Sequence, residues 1–514
     1  MSQLLIKGKL KRLASQLIKQ RLIKYLTTAL VGILSFLAFA PYDQKWILVL
    51  SYLYLVSILT SSSTENKWLH ILLWGFGLWF AGTFWLIVSI HYHGNVNIAL
   101  SVTALILLGF LLSSIFVLPI MLFIYIKRIS NFTNALILSS ILILLESARF
   151  FILGGFPWLQ PGVIFLDTIL DFLIPIIGVI GCSLLFYLIV SAAALSSRKV
   201  YKYGLSILLI IAFAIPSLTT KLDINNSSDE HLKFGIVQPS FGPRQKFESD
   251  YGKSIEDRLI SLSLEKEGLD LIVWPESPFP YTLKSSYGNN LVRRLEENNL
   301  NVISGIYQSE SAPTSINYFN TLTILSSEKL SSYKKVNLVP FGEFLPFESI
   351  LRGLIDFFDL PMSFLKPGNI TDETISFRNH SILPLICFDT AYINNYIQKV
   401  KRSTIVVNVS NDSWFGESIG PHQHFQIVRS RAKEINRWIL RSTASGISGF
   451  IDNKGTIVDI MEINEQGIIS YDVPQTTNNS LFVNFGYDLM RYLIICCLFF
   501  IIILLLREVL NENS

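Results

Sequence analysis

The chain has 514 residues, 51% of them apolar and only 16% charged, and its mean hydropathy is +0.46. Soluble globular proteins carry about 25% charged residues, so this composition excludes a disordered, collagen-like or low-complexity chain. A net charge of +4 over this length gives no footprint for a nucleic-acid partner. Residues 69–126 contain no Asp, Glu, Lys or Arg, and a bilayer crossing needs only about 20 apolar residues. The sequence therefore reads as an integral membrane protein.

Charge-free windows predict spans near residues 23–40, 46–59, 69–90, 98–126, 132–153, 174–196 and 203–218, with an eighth far away at 489–506. Between 219 and 488 charges return, apolar runs shorten and turn signals recur, as expected of a water-soluble domain with its own core. The expected organisation is a seven-span region (1–218), an external α/β domain (219–488), and a last span with a short tail (489–514). Basic residues set the orientation, because Lys and Arg stay in cytoplasmic loops. The N-terminus carries Lys7, Lys9, Lys11, Arg12, Lys19, Arg21 and Lys24 without an acid, and the loops of the same side carry Lys67, Lys127, Arg128, Arg198, Lys199 and Lys202. The opposite short loops hold only Lys45. Both termini are thus expected in the cytoplasm and the domain on the periplasmic side. The N-terminal segment looks like a signal peptide ending Ala38-Phe39-Ala40, but Pro41 opposes cleavage, so it reads as a retained anchor.

Cys182, Cys496 and Cys497 fall in predicted spans, which leaves Cys387 alone in the external domain with no disulfide partner. It reads either as a small buried apolar residue or as a nucleophile. The apolar run SILPLICFD ends at Cys387 beside Asp389, and a nucleophile where a strand gives way to a loop is both rigid and exposed. Two other apolar runs end in chemistry: LDLIVWPES at Glu276, and SSYKKVNLVPFGE at Lys334, Lys335 and Glu343. Acid, base and thiol are the parts needed for acyl transfer. A thiol near pKa 8.5 needs a base to activate it, and a cation stabilises the oxyanion that forms on attack. No His/Cys/Asp spacing matches a metal site, and His91 and His93 read as loop polar groups.

These residues carry a family resemblance. WPES, YKKVNLVPFGE, ICFD and NVSNDSWFG resemble the Glu–Lys–Cys domain of the nitrilase superfamily. With the added spans, LAFAPY, SIHYHGN, ESARFFILGGFPWLQPG, GPHQH, RSRAKE and GISGFIDNKG are similar to stretches of the apolipoprotein N-acyltransferases, nearly end to end. The resemblance implies an αββα sandwich on an eight-helix base, with Glu276 as general base, Lys335 (three residues before Leu338) as oxyanion stabiliser, Cys387 as nucleophile and Glu343 as an acid orienting Lys335. The chain departs from the family at Phe388 and Asp389, where Tyr-Glu is usual, at Phe247 in place of a tryptophan and at Ala444 in place of an asparagine. The implied reaction moves an acyl chain from a phospholipid of the inner membrane onto Cys387, then to the α-amine of a diacylglyceryl-modified apolipoprotein cysteine, with no metal or dissociable cofactor.

Both substrates are held in lipid, so the site is expected to face the bilayer. Residues 350–365 are apolar enough for Phe357 and Phe358 either to dip into the interface or to cap the core. Glu146 and Arg149, inside the fifth span, read as an ion pair or as a lipid-headgroup contact. Two other functions use the same parts: a membrane-anchored amidase acting on a small C–N substrate, and a transporter, which the scarcity of ionisable residues in the spans disfavours.

Overall fold

The computed structural model describes residues 2–126, 130–216, 231–242, 245, 250–311, 316–325, 331–345, 365–370 and 374–512. Phe247, Phe357 and Phe358 lie outside them. Seven helices come first: α1 (Ser2–Leu34), α2 (Trp46–Thr60), α3 (Lys67–Gly82), α4 (Ile98–Ile126), α5 (Asn131–Ala148), α6 (Ile174–Leu195) and α7 (Lys199–Ala214). An eighth, Tyr487–Glu512, closes the chain. Each apolar window overlaps one of these helices. Five segments, Ile18–Ala38, Ile98–Ile126, Asn131–Ala148, Asp171–Leu195 and Phe482–Glu508, are long and apolar enough to cross a membrane. Helices α2, α3 and α7 have 15, 16 and 16 residues.

The helices pack in a bundle, α1 on α3, α3 on α4, α2 and α5 on α6. Its outer face is apolar: Leu107, Leu118, Phe499 and Ile503 are 63%, 71%, 59% and 62% exposed. In water such a surface would cost about 25 cal/mol per Å²; against hydrocarbon it costs nothing. Helix α6 breaks at Gly178 (φ +72°), where an added Cβ would lie 2.4 Å from the Phe482 ring. Only glycine permits that close approach of the C-terminal segment.

The domain between α7 and Phe482 is a two-sheet sandwich. Its strands are β1 (His231–Gln238), β2 (Leu271–Val273), β3 (Val302–Ser311), β4 (Ile316–Ile324), β5 (Ser332–Lys334), β6 (Ile375–Phe377), β7 (His380–Ile386), β8 (Ile405–Ser410), β9 (Ile439–Thr443), β10 (Ser448–Ile451), β11 (Ile457–Met461) and β12 (Gly467–Pro474). One sheet runs β12-β1-β2-β3-β4-β5 and the other β11-β10-β9-β8-β7-β6. Parallel strands fill both centres (β1-β2-β3 and β7-β8-β9) and antiparallel pairs close the edges. The near-continuous burial of β8 and β9 is what parallel strands covered on both faces require.

Helices α8 (Tyr251–Leu264) and α9 (Ser286–Glu297) cover the first sheet through Ile255, Leu259, Leu291 and Leu295. Helix Gly420–Ile435 covers the second through Val428, Ala432 and Ile435. It starts with Pro421 in its first turn and ends at Asn436 in the left-handed region. It also packs on α6 and on Pro161–Phe165, so it is shared between the sandwich and the helical bundle.

Candidate active site

The three chemistry-bearing strand ends meet between the sheets. Glu276 follows β2 in a tight turn that crosses Gly305 of β3: a Cβ on Gly305 would fall 2.4 Å from the Ser277 amide nitrogen. Glu276 is 6% exposed. Its Oε1 accepts from Asn320 Nδ2 (2.7 Å) and Lys335 Nζ (3.2 Å), and its Oε2 accepts from the Asn411 amide (2.8 Å). Lys335, the residue after β5, is tied to β4 by its own amide, which donates to the Asn320 carbonyl at 2.8 Å.

Lys335 is 1% exposed and lies between two carboxylates. Its Nζ donates to Glu276 Oε1 and, at 2.9 Å, to Glu343 Oε1. Glu343 Oε2 also accepts the Val339 amide at 2.8 Å, which fixes the carboxylate from its own loop. Burial opposes the lysine charge, but Glu276 and Glu343 outweigh it and hold the ammonium well above its ordinary pKa. The result is a permanent cation.

Cys387 is half-buried and directly follows β7, with φ at +49°. A non-glycine residue in the left-handed region costs about 1–2 kcal/mol, and such strain collects at nucleophile elbows. Burial first and the Glu276 charge second push the thiol pKa up, while Lys335 pulls it down. The thiol therefore carries its proton at neutral pH and needs a base to release it.

Asp389 is fully buried and accepts five bonds. Oδ1 takes the Asn337 amide (2.9 Å), Asn337 Nδ2 (2.9 Å) and the Tyr396 hydroxyl (2.8 Å); Oδ2 takes the Tyr333 hydroxyl (2.9 Å) and the Ile386 amide (3.1 Å). The shorter carboxylate thus bridges the turn after β7 and the loop after β5. Phe388 packs edge-on against Tyr392 at 5.2 Å, and Tyr392 in turn against Phe150 of the helical base at 5.7 Å.

Behind Cys387 lies a network that the sequence reading did not assign. Arg441 of β9, fully buried, donates from Nη2 to Asp412 Oδ2 (2.6 Å), and Nη2 also lies 3.1 Å from His424 Nδ1. Ser410 Oγ donates to Asp412 Oδ1 at 2.6 Å. Burial works against the Asp412 charge, yet Arg441, then His424 and Ser410, hold its carboxyl far below the usual range. A sulfur of Cys387, an oxygen of Asp412 and a ring nitrogen of His424 lie within 4.8 Å of one another, the one three-residue grouping of metal-ligand type among the described residues. The Arg441 guanidinium already occupies the faces of Asp412 and His424 that a cation would use. The donor set therefore fits the guanidinium rather than a metal. NVSNDSWFG and GPHQH marked Asp412 and His424 as family-like without giving them a role; Asn320, mid-strand in β4, had no signal at all.

Glu146 and Arg149 are not on the lipid-facing surface. They are 1% and 4% exposed, 4.0 Å apart, and engaged by protein. Glu146 accepts from Gln160 Nε2 (3.2 Å) and the Tyr187 hydroxyl (2.7 Å), and Arg149 donates to the Trp158 carbonyl (2.8 Å). The face of α5 that carries them turns into the bundle, where a charge finds fixed partners, rather than outward to a headgroup.

A sandwich of this strand order on a base of apolar helices, with Glu276, Lys335 and Cys387 each following a strand, is a nitrilase-like domain joined to helices long and apolar enough to cross a membrane. A carbon-nitrogen hydrolase family model matches residues 253–480, and the model for the apolipoprotein N-acyltransferase N-terminal domain matches residues 31–194. The chain is 34% identical over 466 residues to an apolipoprotein N-acyltransferase of Pseudomonas aeruginosa, covering 87% of this chain and 89% of that one. It is 30% identical over 486 residues to the enzyme of the same name from Shewanella oneidensis, covering 91% and 92%. The crystal structure of Saccharomyces cerevisiae Nit3, of the nitrilase superfamily, is 19% identical with a TM-score of 0.36, covering 48% of this chain and 90% of that one. The chain belongs to the apolipoprotein N-acyltransferase family.

Proposed function

We propose that the protein transfers an acyl chain from a membrane phospholipid to the α-amino group of a diacylglyceryl-modified N-terminal cysteine on an apolipoprotein, through a thioester on Cys387. Glu276 takes the thiol proton as sulfur attacks the ester carbonyl, and Lys335 stabilises the oxyanion. The ester C–O bond breaks, Glu276 returns its proton to the departing oxygen, and a lysophospholipid leaves. The acceptor amine then attacks the thioester, Glu276 takes the amine proton, the C–S bond breaks and the proton goes back to sulfur. No other reactant enters the balance.

The observation that carries this reading is a buried, doubly carboxylate-bound lysine whose charge acts on an elbow cysteine, in a domain seated on apolar helices. The amidase alternative uses the same residues but gives no use for that base. Eight crossings, cytoplasmic termini, a division at 218 and 488, and a periplasmic catalytic domain in a bacterial inner membrane complete the proposal; the distribution of Lys and Arg supports the orientation.

The test is mass spectrometry of purified protein incubated with phosphatidylethanolamine alone. An acyl adduct on Cys387 with equimolar lysophospholipid, absent in Cys387→Ser and discharged by a diacylglyceryl-cysteine peptide, is the expected result. Hydrolysis of small amides with no adduct would favour the amidase reading and overturn this one.

A further inference from the structure

The left-handed conformation of Cys387 needs something to hold it, and its carbonyl is where the hold is applied. Thr390 Oγ1 donates to that oxygen at 2.9 Å, and His424 Nε2 lies 3.3 Å from it. A carbonyl cannot donate, so Nε2 is the ring nitrogen that bears hydrogen. On the other side of the ring Nδ1 lies 3.1 Å from both the Arg441 Nη2 donor and the Asp412 Oδ1 acceptor, so that side is compatible with hydrogen on Nε2 but does not by itself require it. Burial first and the Arg441 guanidinium second push the imidazole pKa down, against the opposing pull of Asp412 and the Cys387 carbonyl, and the net shift is downward. Arg441 is itself locked, by Asn408 Oδ1 and by Asp412. His424 is 1% exposed between Trp158 and Phe415, so it has no freedom to leave.

From this arrangement we propose that His424 is a positioning residue for the acyl-transfer reaction. Its Nε2–H fixes the Cys387 carbonyl, and with it the left-handed backbone that aims the sulfur at the substrate carbonyl. The ring does not act as the base. Its Nδ1 is already engaged by Arg441 and Asp412, and Glu276 remains the group that moves the proton. The inference rests on the reading of Cys387 as nucleophile.

The experiment compares His424→Leu and His424→Gln with wild type and Cys387→Ala, using phosphatidylethanolamine as donor and a synthetic diacylglyceryl-cysteine peptide as acceptor. Misaiming a nucleophile by about 1 Å costs up to about a hundredfold. His424→Leu should therefore lower kcat by about tenfold to a hundredfold with KM for the phospholipid nearly unchanged, because no substrate contact is lost. Gln can place an amide N–H where Nε2–H stood, so His424→Gln should recover most of the rate. A Leu variant with wild-type kcat, a Gln variant no faster than Leu, or a loss carried by KM would overturn the proposal. If the Leu variant does not fold, the Gln variant decides alone: a near-wild-type kcat supports the role and a lost one refutes it. Activity surviving in Cys387→Ala would defeat the nucleophile reading itself; a dead Cys387→Ala with an unaffected His424→Leu would defeat only the positioning role.

Discussion

Replacing Asp389 by asparagine tests the link between the nucleophile turn and the lysine loop. The carboxylate accepts five bonds with no exposure to water. An asparagine can keep its carbonyl oxygen where Oδ1 stands and satisfy the two Asn337 donors and Tyr396. Its amide then faces Tyr333 and the Ile386 amide. Tyr333 has an alternative acceptor in the Tyr396 hydroxyl at 2.9 Å; Ile386 N–H has none and becomes a buried orphan. That orphan costs about 1–3 kcal/mol, and the three surviving bonds weaken because the acceptor is no longer charged. The sum is about 3–5 kcal/mol, which lowers Tm by roughly 10 °C for a domain of this size. Because Ile386 precedes Cys387, the rate of thioester formation should fall as well. Thermal unfolding in detergent and single-turnover acylation read the two effects. Asp389→Glu should also destabilise, by about 1–3 kcal/mol, since a longer carboxylate in a fully buried site must displace the five donors it now meets. An asparagine variant that melts with wild type and acylates at the wild-type rate would refute the reasoning.

Two further outcomes follow from the same geometry. The folded pKa of Asp412 lies well below the ordinary carboxylate value, so the stability it contributes is fully present above that ordinary value and is lost as pH falls through the folded one. Asp412→Asn should be less stable at neutral pH by about 3–5 kcal/mol, because Arg441 loses its buried counter-charge, and the gap to wild type should close in strong acid; a gap that stays constant in pH-dependent thermal unfolding would count against the pairing. Gly305→Ala drives a methyl into the backbone of Glu276 and Ser277. It should cut kcat by up to about a hundredfold through misplacement of Glu276, the base in the proposed reaction, with circular dichroism unchanged, and a wild-type rate would show that the turn can shift freely.

The strand ends were legible because apolar runs of β length terminate in charged or nucleophilic residues, and Glu276, Lys335 and Cys387 all follow that pattern. Asn320 was not. It sits inside INYFNTLTI, where it reads as an ordinary strand residue, and its value comes only from reaching both Glu276 and Glu343 (2.7 and 3.2 Å). His424 was hidden for a different reason: its contact toward Cys387 is with a backbone carbonyl, and main-chain geometry leaves no mark on composition or spacing. The window at 69–90 read as one span because it lacks charge, but α3 stops at Gly82 and a separate π-helical turn, Val88–His93, follows. Hydropathy reports what tolerates lipid, not where hydrogen bonding breaks.

The charges in α5 could be seen in the sequence, while their direction could not, since an i, i+3 pair shares a face without saying which way that face points. Tertiary contacts give it a direction with a consequence. Glu146 binds Gln160, whose Oε1 accepts from Arg431 at 3.2 Å. The same Arg431 nitrogen donates to the Ala391 carbonyl in the nucleophile turn at 3.2 Å, and Nη1 binds Glu434 at 2.7 Å. Glu434 in turn accepts the Val179 amide at 2.6 Å, beside the break in α6. Polar groups buried this deeply are costly unless every partner is present, so the bundle and the nucleophile turn hold each other in register. His424 and Arg431, seven residues apart on one helix face, both end on main-chain carbonyls of that turn. The helix Gly420–Ile435 thus converts a seating on the membrane base into the aim of one sulfur atom.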